Sequence, residues 1–218
     1  MSDKEPPDYD AIETEEWRKN AGEIPDELRI GSSRLMQRIR LFIARFGFPE
    51  TAVIEKIKAD SMFASHFAKE PRRTGLHEKY AAEWIAGLPM VKQFRVLPKG
   101  GAEAIYITGD GNIESGTSGN RPNKSLDFIW KTGATTCYAM HKYTKESGGT
   151  QDSQHKEMVS LLRNFQSCND KACVLFVIAD GPYYQGARMS GLRNHQRSEP
   201  PRSYALPIGE LPGVLNTL

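Results

Sequence analysis

The unbroken apolar run Cys173-Val174-Leu175-Phe176-Val177-Ile178-Ala179 constrains the fold more than any other stretch of this chain. A strand with one wet face alternates polar and apolar residues; this one does not, so it must be buried on both faces and covered by other layers. Asp180-Gly181-Pro182 ends it sharply. The preceding residues 151–166 are predicted helical, with Met158, Val159, Leu161, Leu162 and Phe165 on one face. A helix that crosses over to a fully buried strand belongs to a layered α/β core. Upstream the period is two. Phe94–Leu97 and Glu103–Ile107 read as strands around a turn at Pro98-Lys99-Gly100-Gly101. Gly109–Asn112 reads as a turn and 113–123 as a polar loop. Two further strands follow, around 126–130 and 135–143. The expected class is therefore α/β: a mixed central sheet of four or five strands flanked by helices, with an N-terminal helical part.

That helical part is set by caps and stripes. Ser32-Ser33 caps a helix over about 34–46, with Leu35, Ile39, Phe42, Ile43 and Phe46 on one face and Arg34, Arg38 and Arg45 on another; Gly47 and Pro49 stop it. One more helix is predicted over 50–68. Another runs over 76–87, with Leu76, Tyr80, Ala81, Trp84 and Ile85 as its apolar stripe and Glu78 and Glu83 off it. Residues 1–16 carry seven acids and little to bury, which predicts a flexible acidic leader. The rest, 17–218, reads as one domain: helical over 17–90, a core over 91–185, and a basic segment over 186–218.

Composition excludes several classes. With 39% hydrophobic and 26% charged residues the chain is an ordinary globular protein, and no apolar run approaches the roughly 20 residues of a membrane helix. The expectation is a cytoplasmic protein with no membrane partner. Cys137, Cys168 and Cys173 are odd in number and lack Cys-x-x-Cys spacing, so they read as reduced core cysteines. The net charge is only +2, yet Gly186–Arg202 holds Arg188, Arg193, His195, Arg197 and Arg202 against the single acid Glu199. Positive charge is thus segregated, as binding to a polyanion requires. There is no Gly-x-Ser-x-Gly elbow, no His-Glu-x-x-His and no phosphate loop ending in Gly-Lys-Ser/Thr.

The chemistry concentrates in 124–154. Asp127 stands in a strand otherwise apolar (Leu126, Phe128, Ile129, Trp130), where a lone carboxylate is costly and must be paired, hydrogen-bonded or metal-bound. In the 135–143 strand, alternation sends Tyr138, Met140 and Lys142 to one face and Cys137, Ala139, His141 and Tyr143 to the other. A carboxylate and an ammonium on neighbouring strands form either a plain salt bridge or a site for a divalent cation and a water beside a phosphate. After this strand, Gly148-Gly149 permits a tight turn, Thr150 is a candidate N-cap, and Gln151 and Gln154 lie on the first helical turn. Asp180 reads as capping the turn that follows its strand.

Lys-Ser-Leu-Asp-Phe (124–128), His-Lys-Tyr-Thr-Lys-Glu-Ser-Gly-Gly-Thr-Gln-Asp (141–152) and Ala-Asp-Gly-Pro-Tyr-Tyr (179–184) together resemble type II restriction endonucleases of the PD-(D/E)xK nuclease superfamily, over roughly 75–185. The resemblance implies a restriction-endonuclease-like sheet flanked by helices, Mg²⁺ as cofactor, and site-specific hydrolysis of double-stranded DNA by a homodimer. Asp127 matches the metal-binding Asp of such enzymes and Lys142 the lysine of their half-motif. Where they carry Asp or Glu two residues before that lysine, this chain has Met140, which is no ligand for a hard cation. Three readings follow. A carboxylate arrives from elsewhere, Glu78 ahead of Glu146, so that Asp127, Glu78 and Glu146 are the candidate metal ligands. Alternatively His141 occupies a catalytic position, as base or water-orienting group. Or the centre is weakened, leaving a DNA-binding protein on the same fold. The predicted DNA contacts are Arg72, Arg73, Lys145, Gln151, Gln154, Tyr183, Arg188, Arg193 and Arg197, because arginine reads guanine edges and grips phosphate.

Overall fold

The computed structural model describes residues 5–71, 73–116, 124–146, 148–200 and 202–218, with only the backbone described for Arg73, Thr74 and Thr150. It divides into two compact units, Asp8–Leu76 and His77–Leu218, the latter together with the segment up to Pro7.

The smaller unit is helical: α1 (Tyr9–Gly22), α2 (Ile24–Arg29), α3 (Ser33–Phe46), α4 (Glu50–Ala59), α5 (Ser61–Ser65) and the start of α6 (Arg73–Ala86). Asp8 caps α1 through Asp10 N and Ala11 N, and Tyr9 and Glu13 are buried. The acidic stretch expected as a flexible leader to residue 16 is therefore helical from Tyr9 on. Ser32 caps α3 and Gly47, left-handed at φ 73°, ends it, as the sequence predicts. The single helix expected over 50–68 is broken at Asp60. That residue is extended, and its carboxylate accepts from Phe63 N at 3.0 Å, capping a new helix rather than continuing the old one. Ile24, Leu35, Ile39, Val53, Ile57, Ala64 and Phe67 form this unit's core.

The larger unit is a mixed α/β layer structure. Its main sheet joins β1 (Lys92–Val96), β4 (Phe128–Thr132), β5 (Thr135–Tyr143), β6 (Cys173–Asp180) and β7 (Arg202–Leu206) in the order β1-β4-β5-β6-β7. The first three are antiparallel; β6 runs parallel to both β5 and β7. Parallel pairing needs a long crossover, supplied between β5 and β6 by α7 (Gly149–Phe165). β2 (Ile105–Ile107) and β3 (Ile113–Ser115) make a separate hairpin, so part of the expected polar loop over 113–123 is strand; residues 117–123 lie outside the described residues. All of β6 is buried.

On one face Met140, Leu175, Val177 and Ala179 pack with Met158, Leu161, Leu162 and Phe165 of α7. On the other a row of rings crosses the strands: Phe94 to Phe128 at 5.6 Å, Trp130 to Phe176 at 5.4 Å and Phe176 to Tyr204 at 5.6 Å between centroids. The polar ends of β5 and β6, Tyr143 opposite Asp180, lie at the same edge of the sheet. That edge, outside the carboxyl ends of parallel strands and beside the start of α7, is where α/β sheets place ligand sites. Among the described residues no helix is long and apolar enough to cross a membrane.

Candidate functional site

Asp127 lies just ahead of β4, but its backbone continues the ladder: its N–H donates to Ala139 O and its carbonyl accepts from Leu97 N, both at 2.8 Å. The residue is only 4% exposed. Oδ2 accepts from His141 N at 2.8 Å and from Lys142 Nζ at 3.5 Å. Among the described residues Oδ1 has no hydrogen-bond partner. The alternation of β5 explains the placing: Lys142 leaves the strand one step beyond Met140 on the α7 face, where the apolar layer ends. The pairing of Asp127 with Lys142, expected from the sequence, is therefore present.

Met140 is not a vacancy in a metal site. It is 1% exposed and fills the core beneath α7. A carboxylate at this position would replace packed apolar surface, so the usual half-motif is excluded by packing.

Glu78, on α6, is half-buried, and its Oε2 lies 2.7 Å from Lys99 Nζ in the turn after β1. The hydrogen bond that Lys99 donates to Glu78 holds its ammonium above its ordinary pKa against the opposing effect of burial, and the charges of Glu78 and Asp127 add to this. Glu78 thus holds this lysine directly, and the Asp127 charge acts on it from farther away. Glu146 is exposed beyond the end of β5. Among the described residues no three His, Cys, Asp or Glu side chains converge closely enough to hold a metal ion. The fit to Mg²⁺ rests on Asp127: this ion keeps several waters and takes one or two carboxylates plus substrate phosphate, so one buried carboxylate with an open oxygen suits it.

His141 is buried on the opposite face of β5, its ring 6.3 Å from Phe128. Its Nε2 lies 3.1 Å from Asp180 Oδ2, and Asp180 Oδ1 accepts from Ile208 N at 2.8 Å. An ionised Asp180 requires the Nε2–H tautomer. Asp180, expected to cap its own turn, instead links β5 to the segment after β7. A carboxylate at the end of a buried strand was the visible signal; its partner depended on the β5–β6 register.

The expected N-cap at Thr150 falls two residues late: α7 begins at Gly149 with Gly148 as cap. A Cβ on Gly148 would meet Gln151 Oε1 at 2.7 Å, so the Gln151 amide folds over that glycine. On the same turn Asp152 accepts from Tyr183 Oη at 2.7 Å and pairs with Arg188 at 2.9 Å, while the Arg188 guanidinium stacks on the Tyr183 ring at 4.7 Å. Tyr183 is consequently buried rather than facing a ligand.

The other predicted contacts separate. Arg193 pairs with Glu210 at 2.7 Å and donates to Ala205 O. Arg197 donates to Gln166 O and Cys168 O, at the opposite end of β6 from Lys142. The Arg197 guanidinium ties the end of α7 to the chain before β7, while Arg193 lines a cleft together with Met189, Pro207 and Glu210. Lys145 follows β5, Gln151 and Gln154 lie at the start of α7, and Arg188 is held by Asp152; Arg72 lies outside the described residues, and Arg73 is placed only as the start of α6. The cysteines are buried, with burial pushing the Cys137 thiol up to about 12, which removes thiolate chemistry at neutral pH. Compared with models of known protein families and with curated proteins, the chain matches none.

The Asp152 tie predicts a pH dependence. The Tyr183 hydrogen bond and then the Arg188 charge hold the Asp152 carboxyl below its ordinary value. A lowered folded value means the tie contributes fully above the unfolded carboxylate range and is lost as pH falls through the folded value. Asp152→Asn should therefore be less stable than the parent in urea at neutral pH, with the gap closing as the pH falls below the ordinary carboxylate range. A gap independent of pH would show that the charge of Asp152 contributes nothing.

Proposed function

We propose that this chain is a Mg²⁺-dependent, site-specific endonuclease of double-stranded DNA, a type II restriction enzyme of the PD-(D/E)xK kind acting as a homodimer. The observation that carries the reading is the buried Asp127 carboxylate, fixed through one oxygen by His141 N and Lys142, while among the described residues the other has no hydrogen-bond partner. Burying such a group is costly unless it serves a partner, and its neighbour Lys142 is suited to a phosphate or to the attacking water. Bound Mg²⁺ supplies stabilisation of charge on the phosphoryl oxygens and a lowered pKa for the attacking water. Asp127 would hold the cation. Lys142 would donate to the water or to a non-bridging oxygen. The Gly148-Gly149 turn and the start of α7 allow close approach of the DNA backbone. A mixed sheet flanked by helices agrees with the resemblance of the three motifs.

The place of Met140 in the core favours a second reading, a DNA-binding protein on the same fold with weakened catalysis. Supercoiled plasmids of varied sequence, incubated with Mg²⁺, with Mn²⁺ and with EDTA, separate the two. Discrete fragments with metal and none with EDTA are expected. Intact plasmid with retained binding would favour the second reading, and intact plasmid without binding would leave neither.

A further inference from the structure

We infer that Lys99 is a second phosphate-contacting cation of this site and that Glu78 is its positioning residue rather than a metal ligand. The inference rests on the endonuclease reading and revises the role that the sequence suggests for Glu78.

Lys99 reaches the site through the sheet. Leu97, one residue beyond β1, donates its N–H to Asp127 O at 2.8 Å, which brings the following turn alongside Asp127. Leu97 itself is buried in the core. Pro98 fixes the turn, and Lys99 emerges from it with a side chain 63% exposed. An exposed lysine normally samples many rotamers and contributes little. Here the half-buried Glu78 carboxylate, 2.7 Å away on α6, holds the ammonium in one place. Lys99, from the turn after β1, and Lys142, on β5, are thus each held by a carboxylate, Glu78 and Asp127 respectively.

Formal charge argues in the same direction. Glu78 and Asp127 carry two negative charges, and Lys99 and Lys142 two positive ones, so the four side chains cancel. A divalent cation on Asp127 would leave an excess of two positive charges. That matches the charge a phosphodiester gathers as water attacks it. Glu78 holds Lys99 at 2.7 Å, a closer tie than the 3.5 Å between Lys142 and Asp127, so a cation on Glu78 would compete with the Lys99 ammonium for the same carboxylate charge.

The test uses the full chain. Lys99→Gln and Glu78→Gln are compared with the parent in plasmid cleavage, and Mn²⁺ affinity is measured separately by electron paramagnetic resonance. Lys99→Gln should slow cleavage tenfold or more while Mn²⁺ affinity stays within twofold; Lys99→Arg should recover part of the rate. Glu78→Gln should slow cleavage similarly, again with Mn²⁺ affinity kept. A tenfold loss of Mn²⁺ affinity in Glu78→Gln, with Lys99→Gln cleaving at the parent rate, would overturn the inference and leave the endonuclease reading standing. A parent protein that neither cleaves nor binds DNA would overturn both.

Discussion

Asp127→Asn is expected to abolish DNA cleavage, by at least about a thousandfold, while leaving the chain folded. The asparagine oxygen can still accept from His141 N, so the backbone geometry at the mouth of β4 and β5 survives. What disappears is the negative charge that would hold the cation and that now faces Lys142 at 3.5 Å. Charge stabilisation by a bound metal is worth several kcal/mol, and about 4 kcal/mol is a factor of a thousand in rate. The stability change is smaller, about 1–3 kcal/mol, because Lys142 loses its partner but is only partly buried. Single-turnover cleavage and urea unfolding, measured together, distinguish the two effects. Cleavage at the parent rate would remove Asp127 from the reaction. Asp127→Ala is the harsher change, since it also strips the acceptor from the buried His141 amide.

Gly181→Ala is expected to be the most destabilising small substitution at the site's edge. Gly181 has φ 97° and ψ 168°, a backbone conformation open in practice only to glycine. An added Cβ would also run into the carbonyl of Thr144, with its oxygen nearest and its carbon at 2.9 Å. That segment cannot retreat: Thr144 N donates to Asp180 O at 2.9 Å and Thr144 O accepts from Tyr183 N at 3.2 Å. Backbone strain and overpacking each cost about 1–3 kcal/mol, so a loss of about 3–5 kcal/mol is expected. For a chain of this size that lowers Tm by about 10 °C. Gly100→Ala, where a Cβ meets nothing within 4 Å and φ is not positive, serves as the control and should shift Tm little. Equal effects of the two substitutions would show that the contact with Thr144 is not limiting.

Several parts of the site were legible because they follow from local rules. Asp127 is conspicuous among Leu126, Phe128, Ile129 and Trp130, since a carboxylate there cannot be buried without a partner. Lys142 follows from the alternation of β5. The same parity that selects Lys142 also selects Met140, but whether that position faces a site or a core depends on where α7 lies. Lys99 was invisible for a related reason: in sequence it belongs to a glycine turn, and only the β1–β4 pairing brings it to Asp127. Arg193 and Arg197 stood out by composition, yet their partners, Glu210 and the carbonyls at the end of α7, are set by packing.

The sequence by itself determined the capped helix α3, the helix that crosses over to β6, the buried character of β6 and the isolated carboxylate Asp127, because these depend on periodicity and on the free energy of burying charge. Only the tertiary structure decided that β7 completes the sheet, that Asp180 is tied to His141, that Met140 is core, and that Glu78 holds a lysine. Those outcomes depend on strand register and helix placement, which join residues far apart in the chain and leave no periodic trace in it.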